Sequence, residues 1–348
     1  MGKLKIGIIG AGQEALHSHF PNCMKNNHLA EIAAVCDVNG ESARNAAEQF
    51  GVPAWYTSHQ EMLEKEDLDL VTVCVTNKFH ESLTIDALRA GCHVLCEKPP
   101  ALNAKQAKHM ADEAKKAGKL LTYNLHYRYA PEVQMVKTMI DNGEFGELYQ
   151  ARVQAVRRRG IPGWGNFTNK NMQGGGPLVD IGVHMLDTAL YLLGYPQPLY
   201  AMANSSDRIG KRGGVGLMGV WNPERFTVED GLFGYVQFGN GLSLQIETAF
   251  ALNCKEKQRM NVEIYGDLSG ASVFDGEVYT EKNGNLVDMK LPFVQELDKR
   301  NISISNFIRC CAENDTPLIT ADQGVTLMQI IDALYESAAT HQVVEFEK

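Results

Sequence analysis

Asp180 and His184 stand four residues apart in the run Gly174-Gly175-Gly176-Pro177-Leu178-Val179-Asp180-Ile181-Gly182-Val183-His184. On a helix that spacing puts both side chains on one face, one turn apart. A carboxylate beside an imidazole is an acid–base unit: the carboxylate orients the ring and the ring moves a proton. The three glycines ahead of them let backbone lie close to a ligand with no Cβ in the way. Many helices carry Asp and His at this spacing, so the pair gains meaning from what else the chain holds.

The chain opens with a second chemical signal. Gly10-Ala11-Gly12-Gln13-Glu14-Ala15 follows the apolar run Leu4–Ile9 and begins a helical stretch. In such a loop Gly10 permits the tight turn, Gly12 allows a pyrophosphate to approach, and Ala15 packs helix on strand. The helix N-terminus then offers N–H groups and partial positive charge to the phosphates. Asp37 ends the next strand, 22 positions after Ala15. An acidic residue there binds the adenosine ribose hydroxyls and repels a 2′-phosphate, which favours NAD over NADP. Thr76 and Asn77 follow the strand 70–75, on the edge where dinucleotides lie; for Asn77, helix capping is an equal alternative. Gln13, His80, Glu97 and Lys98 are further expected cofactor contacts.

Glu97-Lys98-Pro99-Pro100 closes the strand His93–Cys96 on the same edge. A lysine there meets a substrate hydroxyl and favours a developing alkoxide. The bland alternative is a surface lysine. Two prolines argue for a rigid turn, of which a cis bond is one form.

Composition narrows the class. The 348 residues suffice for two domains, and 44% hydrophobic with 22% charged residues is ordinary for a globular enzyme. The net charge of −9 argues against a nucleic-acid partner. No apolar run has membrane-spanning length and the N-terminus lacks signal-peptide architecture. Eight cysteines without a CxxC pair, among them Cys36, Cys74, Cys92 and Cys96 in or beside apolar runs, read as free thiols in a reducing cytoplasm. Neither His17/His19 nor Cys92/His93/Cys96 has zinc-site spacing, so no metal is expected.

Strand-like runs at Leu4–Ile9, 32–36, 70–75, His93–Cys96 and 120–124 alternate with helical stretches near 14–26, 41–50, 79–90 and 103–117. That alternation predicts an α/β domain with a doubly wound parallel sheet over 1–124. The remainder, 125–348, reads as α+β: a helix near 132–142, a strand near 148–158, the helix of Asp180 and His184, then antiparallel strands from about 199 to 290. Helices near 301–313 and 322–340 close the chain, with a C-terminal helix packing back on the first domain. Gly210–Gly219 reads as the most mobile loop.

Over nearly its whole length the chain resembles the glucose–fructose oxidoreductase / inositol dehydrogenase / MocA family. The resemblance rests on Gly7-Ile8-Ile9-Gly10-Ala11-Gly12, Cys96-Glu97-Lys98-Pro99 and the run from Gly174 to His184. It implies a Rossmann domain followed by a domain with a large open, mostly antiparallel sheet, often used to form homodimers or homotetramers. It also implies Lys98, Asp180 and His184 as the catalytic set. The segment Asn124-Leu125-His126-Tyr127-Arg128-Tyr129 matches the family's N/Q-x-R stretch, which puts Arg128 near the cofactor, with Tyr127 and His126 beside the substrate. Gln13-Glu14 replaces the family's usual small or apolar pair.

Arg157-Arg158-Arg159-Gly160-Ile161-Pro162-Gly163-Trp164-Gly165 and Trp221-Asn222-Pro223-Glu224-Arg225-Phe226-Thr227-Val228-Glu229-Asp230 resemble a sugar-dehydrogenase-like branch. On a strand Arg157 and Arg159 share a face that either lines the cleft or lies in solvent. Trp164 either stacks on a sugar or fills core. The expected substrate is a sugar, glycoside or cyclitol. In the expected reaction its secondary hydroxyl loses a proton to His184 while Lys98 stabilises the oxygen. A non-catalytic NAD-binding sensor and an NAD-dependent glycosidase are the alternative readings.

Overall fold

The computed structural model describes residues 2–291 and 297–346. The chain divides into two compact units, Met1–His126 with Asp298–Val325, and Tyr127–Leu297 with Thr326–Lys348. The packing division thus lies at 126/127, and one late segment returns to the first unit.

In the first unit six strands form a wholly parallel sheet: β1 (Leu4–Ile9), β2 (Ala30–Cys36), β3 (Ala54–Tyr56), β4 (Leu70–Val73), β5 (His93–Cys96) and β6 (Leu121–Tyr123). Their order is β3-β2-β1-β4-β5-β6. Such a sheet is covered on both faces, which is why its strands are continuous apolar runs rather than alternating ones. Ile6, Ile8, Val35, Leu70 and Leu95 are accordingly buried. The edge strand β3 was not legible in the sequence: three half-exposed residues leave no measurable periodicity. The order reverses between β1 and β4, so the loops after those strands diverge and leave a crevice at their carboxyl ends. The helix Lys299–Glu313 is the late segment that joins this unit, through Ile304, Phe307 and Ile308.

Gly10 sits where β1 hands over to the helix. Its φ is +103°, and a Cβ there would lie 2.2 Å from the Cys74 carbonyl oxygen. The following helix contains a π turn, Ala15–His19, before the α-helical Phe20–Lys25. Pro21 explains the widening, because it has no N–H for the carbonyl four residues back.

In the second unit nine strands form one sheet: β7 (Leu148–Arg157), β8 (Pro198–Ser206), β9 (Gly231–Phe238), β10 (Ser243–Ala249), β11 (Gln258–Gly266), β12 (Ser269–Ser272), β13 (Glu277–Lys282), β14 (Asn285–Lys290) and β15 (Val344–Glu345). The order is β14-β13-β12-β11-β7-β10-β9-β8-β15, antiparallel except for the β7–β10 pair. Gly241, at φ +84°, turns the β9–β10 hairpin, and Gly276, at φ +65°, lies between β12 and β13. The helix Val183–Leu192 packs on β7 and β11. Further along, Leu334 of the helix Ala321–Thr340 lies against Gly234 of β9, where a Cβ would be 2.7 Å away. No helix among the described residues is long and apolar enough to cross a membrane.

Gly10→Ala combines a disfavoured left-handed φ with a clash against backbone, so it destabilises the first unit by about 1–3 kcal/mol. Thermal unfolding without added nucleotide is the check, and an unchanged midpoint would remove the steric argument.

Candidate active site

At the head of the first unit Gly12 and Gln13 are exposed, while Ala15 is fully buried against the sheet. A Cβ on Gly12 would meet nothing within 4 Å, so the space over the loop is open to a pyrophosphate. The Asp37 carboxylate accepts hydrogen bonds from Ala11 N at 2.8 Å and Asn39 N at 2.9 Å. It is thereby fixed beside the loop, with lone pairs left for ribose hydroxyls. Glu14, the unusual acidic residue here, pairs with Arg300 at 3.3 Å, which offsets its charge near the phosphates. Thr76 leads into a 3-10 turn, Asn77–Phe79, without capping it through its side chain. These residues fit a dinucleotide.

Lys98 follows β5 and its peptide to Pro99 is cis. The turn is held by His80, whose Nδ1 lies 2.8 Å from Pro99 O and Nε2 3.1 Å from Val75 O. His80 is fully buried, with both ring nitrogens committed to backbone of its own unit. It therefore braces the turn. Glu97 is also turned inward. Its Oε1 lies 2.8 Å from His19 Nε2 and accepts from Asn124 Nδ2 at 2.7 Å, while its Oε2 accepts from Lys98 N at 3.2 Å. Ser303 Oγ donates to Asn124 Oδ1 at 3.1 Å, which extends the network to the helix Lys299–Glu313. Burial alone would raise the Glu97 pKa. The bonds from His19 and Asn124 and the positive charge of Lys98 overcome it and bring the carboxyl down to about 2. His126 is pushed the other way: burial, aided by Arg300, lowers it to about 3, so its ring is neutral.

The second unit presents Asp180 and His184. They do not lie on a plain α-helix. Leu178–Gly182 is a π turn that passes into the α-helix Val183–Leu192. In an α-helix four residues run about 40° beyond a full turn. A π turn advances less per residue and brings the two side chains closer to alignment. Asp180 is half-buried and His184 is buried. The Tyr127 ring lies against the imidazole, centroid to centroid 4.9 Å, and meets Phe274 edge-on at 5.7 Å.

The three glycines answer to protein rather than to ligand, which corrects the sequence reading. Gly174 is left-handed at φ +86° and ends the helix Lys170–Gln173. A Cβ on Gly175 would lie 2.0 Å from the Tyr335 hydroxyl, and one on Gly176 would lie 2.2 Å from the Glu229 carbonyl oxygen. Glu229 accepts from Gly176 N at 2.9 Å, Leu178 N at 3.3 Å and the Tyr335 hydroxyl at 2.8 Å.

Arg128 lies on the 3-10 turn His126–Tyr129. It is fully buried, donating from Nε and Nη2 to both oxygens of Asp187 at 2.9 and 2.7 Å, and its guanidinium lies over Tyr191 and Tyr195. It braces the helix of His184 from within its own unit. β7 ends at Arg157, so Arg157 and Arg159 do not share a strand face. Arg157 folds onto Gly160 O at 3.4 Å with its guanidinium over Phe250, whereas Arg159 donates to Asn253 at 2.7 Å. Trp164 is 54% exposed, which removes the core-filling reading.

Sequence reasoning missed Glu229, Tyr335 and Asp187 as site-building residues. Only Asp187 carried a local signal, three residues beyond His184 on the same helix. Among the described residues no group of three or more His, Cys, Asp or Glu side chains is placed to hold a metal.

A doubly wound sheet with a glycine crevice, followed by a second sheet that carries the helix of Asp180 and His184, defines a nucleotide-dependent oxidoreductase. Residues 4–125 match the profile of the oxidoreductase family with the NAD-binding Rossmann fold, and residues 137–346 match that family's C-terminal alpha/beta domain. The chain belongs to this Gfo/Idh/MocA family and is an NAD(P)-dependent oxidoreductase. It is 43% identical over 342 residues to D-glucoside 3-dehydrogenase of Escherichia coli (strain K12), covering 98% of this chain and 97% of that protein. It is 30% identical over 329 residues to 1,5-anhydro-D-fructose reductase of Ensifer adhaerens, covering 91% of each. A levoglucosan dehydrogenase in complex with NADH and levoglucosan shares the fold, with a TM-score of 0.85 over the whole of both chains at 21% identity.

Glu97→Gln tests the buried network. The folded Glu97 pKa lies below the unfolded value of about 4.3, so its contribution is fully present above that pH and disappears as pH falls towards 2. The variant should be less stable by about 1–3 kcal/mol at pH 7, with the difference from wild type shrinking below about pH 4. Urea midpoints between pH 7 and 3 measure this. A pH-independent gap would show that the charge contributes nothing.

Proposed function

We propose that this protein oxidises the 3-hydroxyl of a D-glucoside or a closely related pyranose, or reduces the corresponding keto-sugar, using NAD. The observation that carries the reading is His184 at the exit of a π turn, behind Asp180 and against the Tyr127 ring, in a chain 43% identical to a D-glucoside 3-dehydrogenase. NAD, held by the Gly10–Gly12 loop and Asp37, would supply the hydride acceptor for the carbon that bears the hydroxyl. His184 takes the hydroxyl proton, and Asp180 supports the imidazolium that forms. Lys98, with its backbone fixed by Glu97 and His80, binds the oxygen and stabilises negative charge on it. Tyr127 holds the face of the base. Exposed Trp164 offers a surface on which a sugar ring stacks, and Arg157 supports the loop that carries it.

Asp37 is the reason for choosing NAD: its fixed carboxylate accepts from ribose hydroxyls and repels a 2′-phosphate. Exposed Tyr200 and Met202 on β8 and Phe233 on β9 support homodimer or homotetramer formation through the nine-stranded sheet. A reducing cytoplasm suits eight free cysteines, of which Cys23 is pushed up to about 12 by burial.

NADH absorbance with a panel of glucosides, free sugars and cyclitols tests the activity. His184→Ala should lower kcat about 10²- to 10⁴-fold with little change in NAD affinity, and Lys98→Ala should also abolish most turnover. An unchanged kcat in His184→Ala would remove the base. Aglycone release without net NADH would favour a glycosidase instead. For the cofactor, Asp37→Ser should shift the ratio of kcat/KM for NAD over NADP by at least about tenfold towards NADP. Equal ratios in the two proteins would show that Asp37 does not select.

A further inference from the structure

We infer that Glu229, gripped by Tyr335, is a positioning residue for the acid–base helix: it sets the glycine corner from which the π turn of Asp180 starts. The inference rests on the proposed role of His184 and adds a residue 45 positions downstream in sequence. The two oxygens of one carboxylate receive Gly176 N and Leu178 N, the amides on either side of Pro177. Pro177 has no amide of its own, so both donors of that corner end on Glu229. The next link is direct, because Asp180 N donates to Gly176 O at 3.1 Å. A shift at Gly176 is therefore passed to Asp180 within one turn.

The grip is rigid from the far side as well. The Tyr335 hydroxyl donates to Glu229 Oε1 at 2.8 Å and fills the place a Gly175 side chain would take. Asp230 turns the opposite way and accepts from Ile209 N at 2.5 Å and Gly210 N at 2.8 Å. The Glu229-Asp230 dipeptide at the entrance to β9 is thus anchored on both sides, so its carboxylate is a fixed reference for the corner. A negative charge at the start of a helix also interacts favourably with its N-terminal N–H groups. Glycine is the residue type this arrangement needs at 175 and 176, since any Cβ would displace the hydroxyl or the Glu229 backbone.

The test uses the full chain with Glu229→Gln, Tyr335→Phe and His184→Ala. Turnover is followed with NAD and methyl β-D-glucopyranoside, and hydrogen exchange is read on peptides covering 174–186. Glu229→Gln should reduce kcat at least tenfold while KM and the NAD dissociation constant move less than twofold. Exchange at 174–186 should rise at least tenfold, with β7 and β10 still protected. Tyr335→Phe leaves both amide bonds in place and should show the same pattern at a few-fold. If Glu229→Gln does not fold, Tyr335→Phe carries the test alone. Wild-type exchange at 174–186 in the folded variants would overturn the inference even if no glucoside is turned over. A fall in activity that appears only as a raised KM, with exchange unchanged, would overturn it too. Wild-type turnover in His184→Ala would instead sink the proposed chemistry and leave the exchange result to decide the positioning role.

Discussion

An extra residue in the helix ladder at Leu178–Gly182 is the constraint around which the second unit is organised. A π turn is costly in an isolated helix and persists where surrounding packing requires it. Gly182 lets the turn press onto β10, since a Cβ there would lie 2.6 Å from Thr248. Downstream the ladder is bound to the segment His126–Tyr129 by two rungs, Tyr127 on His184 and Arg128 on Asp187. The position of one imidazole is thus set by a strand, a helix and a 3-10 turn distant in sequence.

Buried charge does much of this holding, and the deepest case is an ion pair. Arg128 and Asp187 are both fully buried. Removing one partner of such a pair typically costs about 3–5 kcal/mol because the other is left uncompensated. The Tyr195 hydroxyl, 2.7 Å from Asp187 Oδ1, completes the cluster. In the first unit Glu97 plays the matching part. Its charge is stabilised by His19, which is delivered by the other π turn, and by Asn124 at the end of β6. Each unit therefore spends one π turn on presenting a histidine, one to brace a lysine turn and one proposed to move a proton.

The contrast between bracing and contacting residues is not visible in a sequence. Glu97, His80 and Arg128 have the residue types of a site, and all three point inward. A charged or imidazole side chain next to a motif has the same appearance in sequence whether it faces a substrate or supports the residue that does. Burial separates the two cases, and burial follows from which elements meet.

The sequence alone determined the alternation of most strands and helices in the first unit and the change of style after it, because apolar periodicity and glycine placement are local properties. It also offered the nucleotide loop, Asp37, Lys98, Asp180 and His184 as candidates, because their spacings lie within short motifs. It could not show β3, which is three residues long, or the π turns, which depend on Pro21 and on contacts with β10 and Glu229. Nor could it show that Gly175 and Gly176 make room for Tyr335 and Glu229. Those residues lie 160 and 53 positions further along the chain, and no local pattern records a hydrogen bond closed over such a distance. The chemistry was written in short motifs; its aim was decided by long-range packing, where a donor's position depends on every element between it and its acceptor.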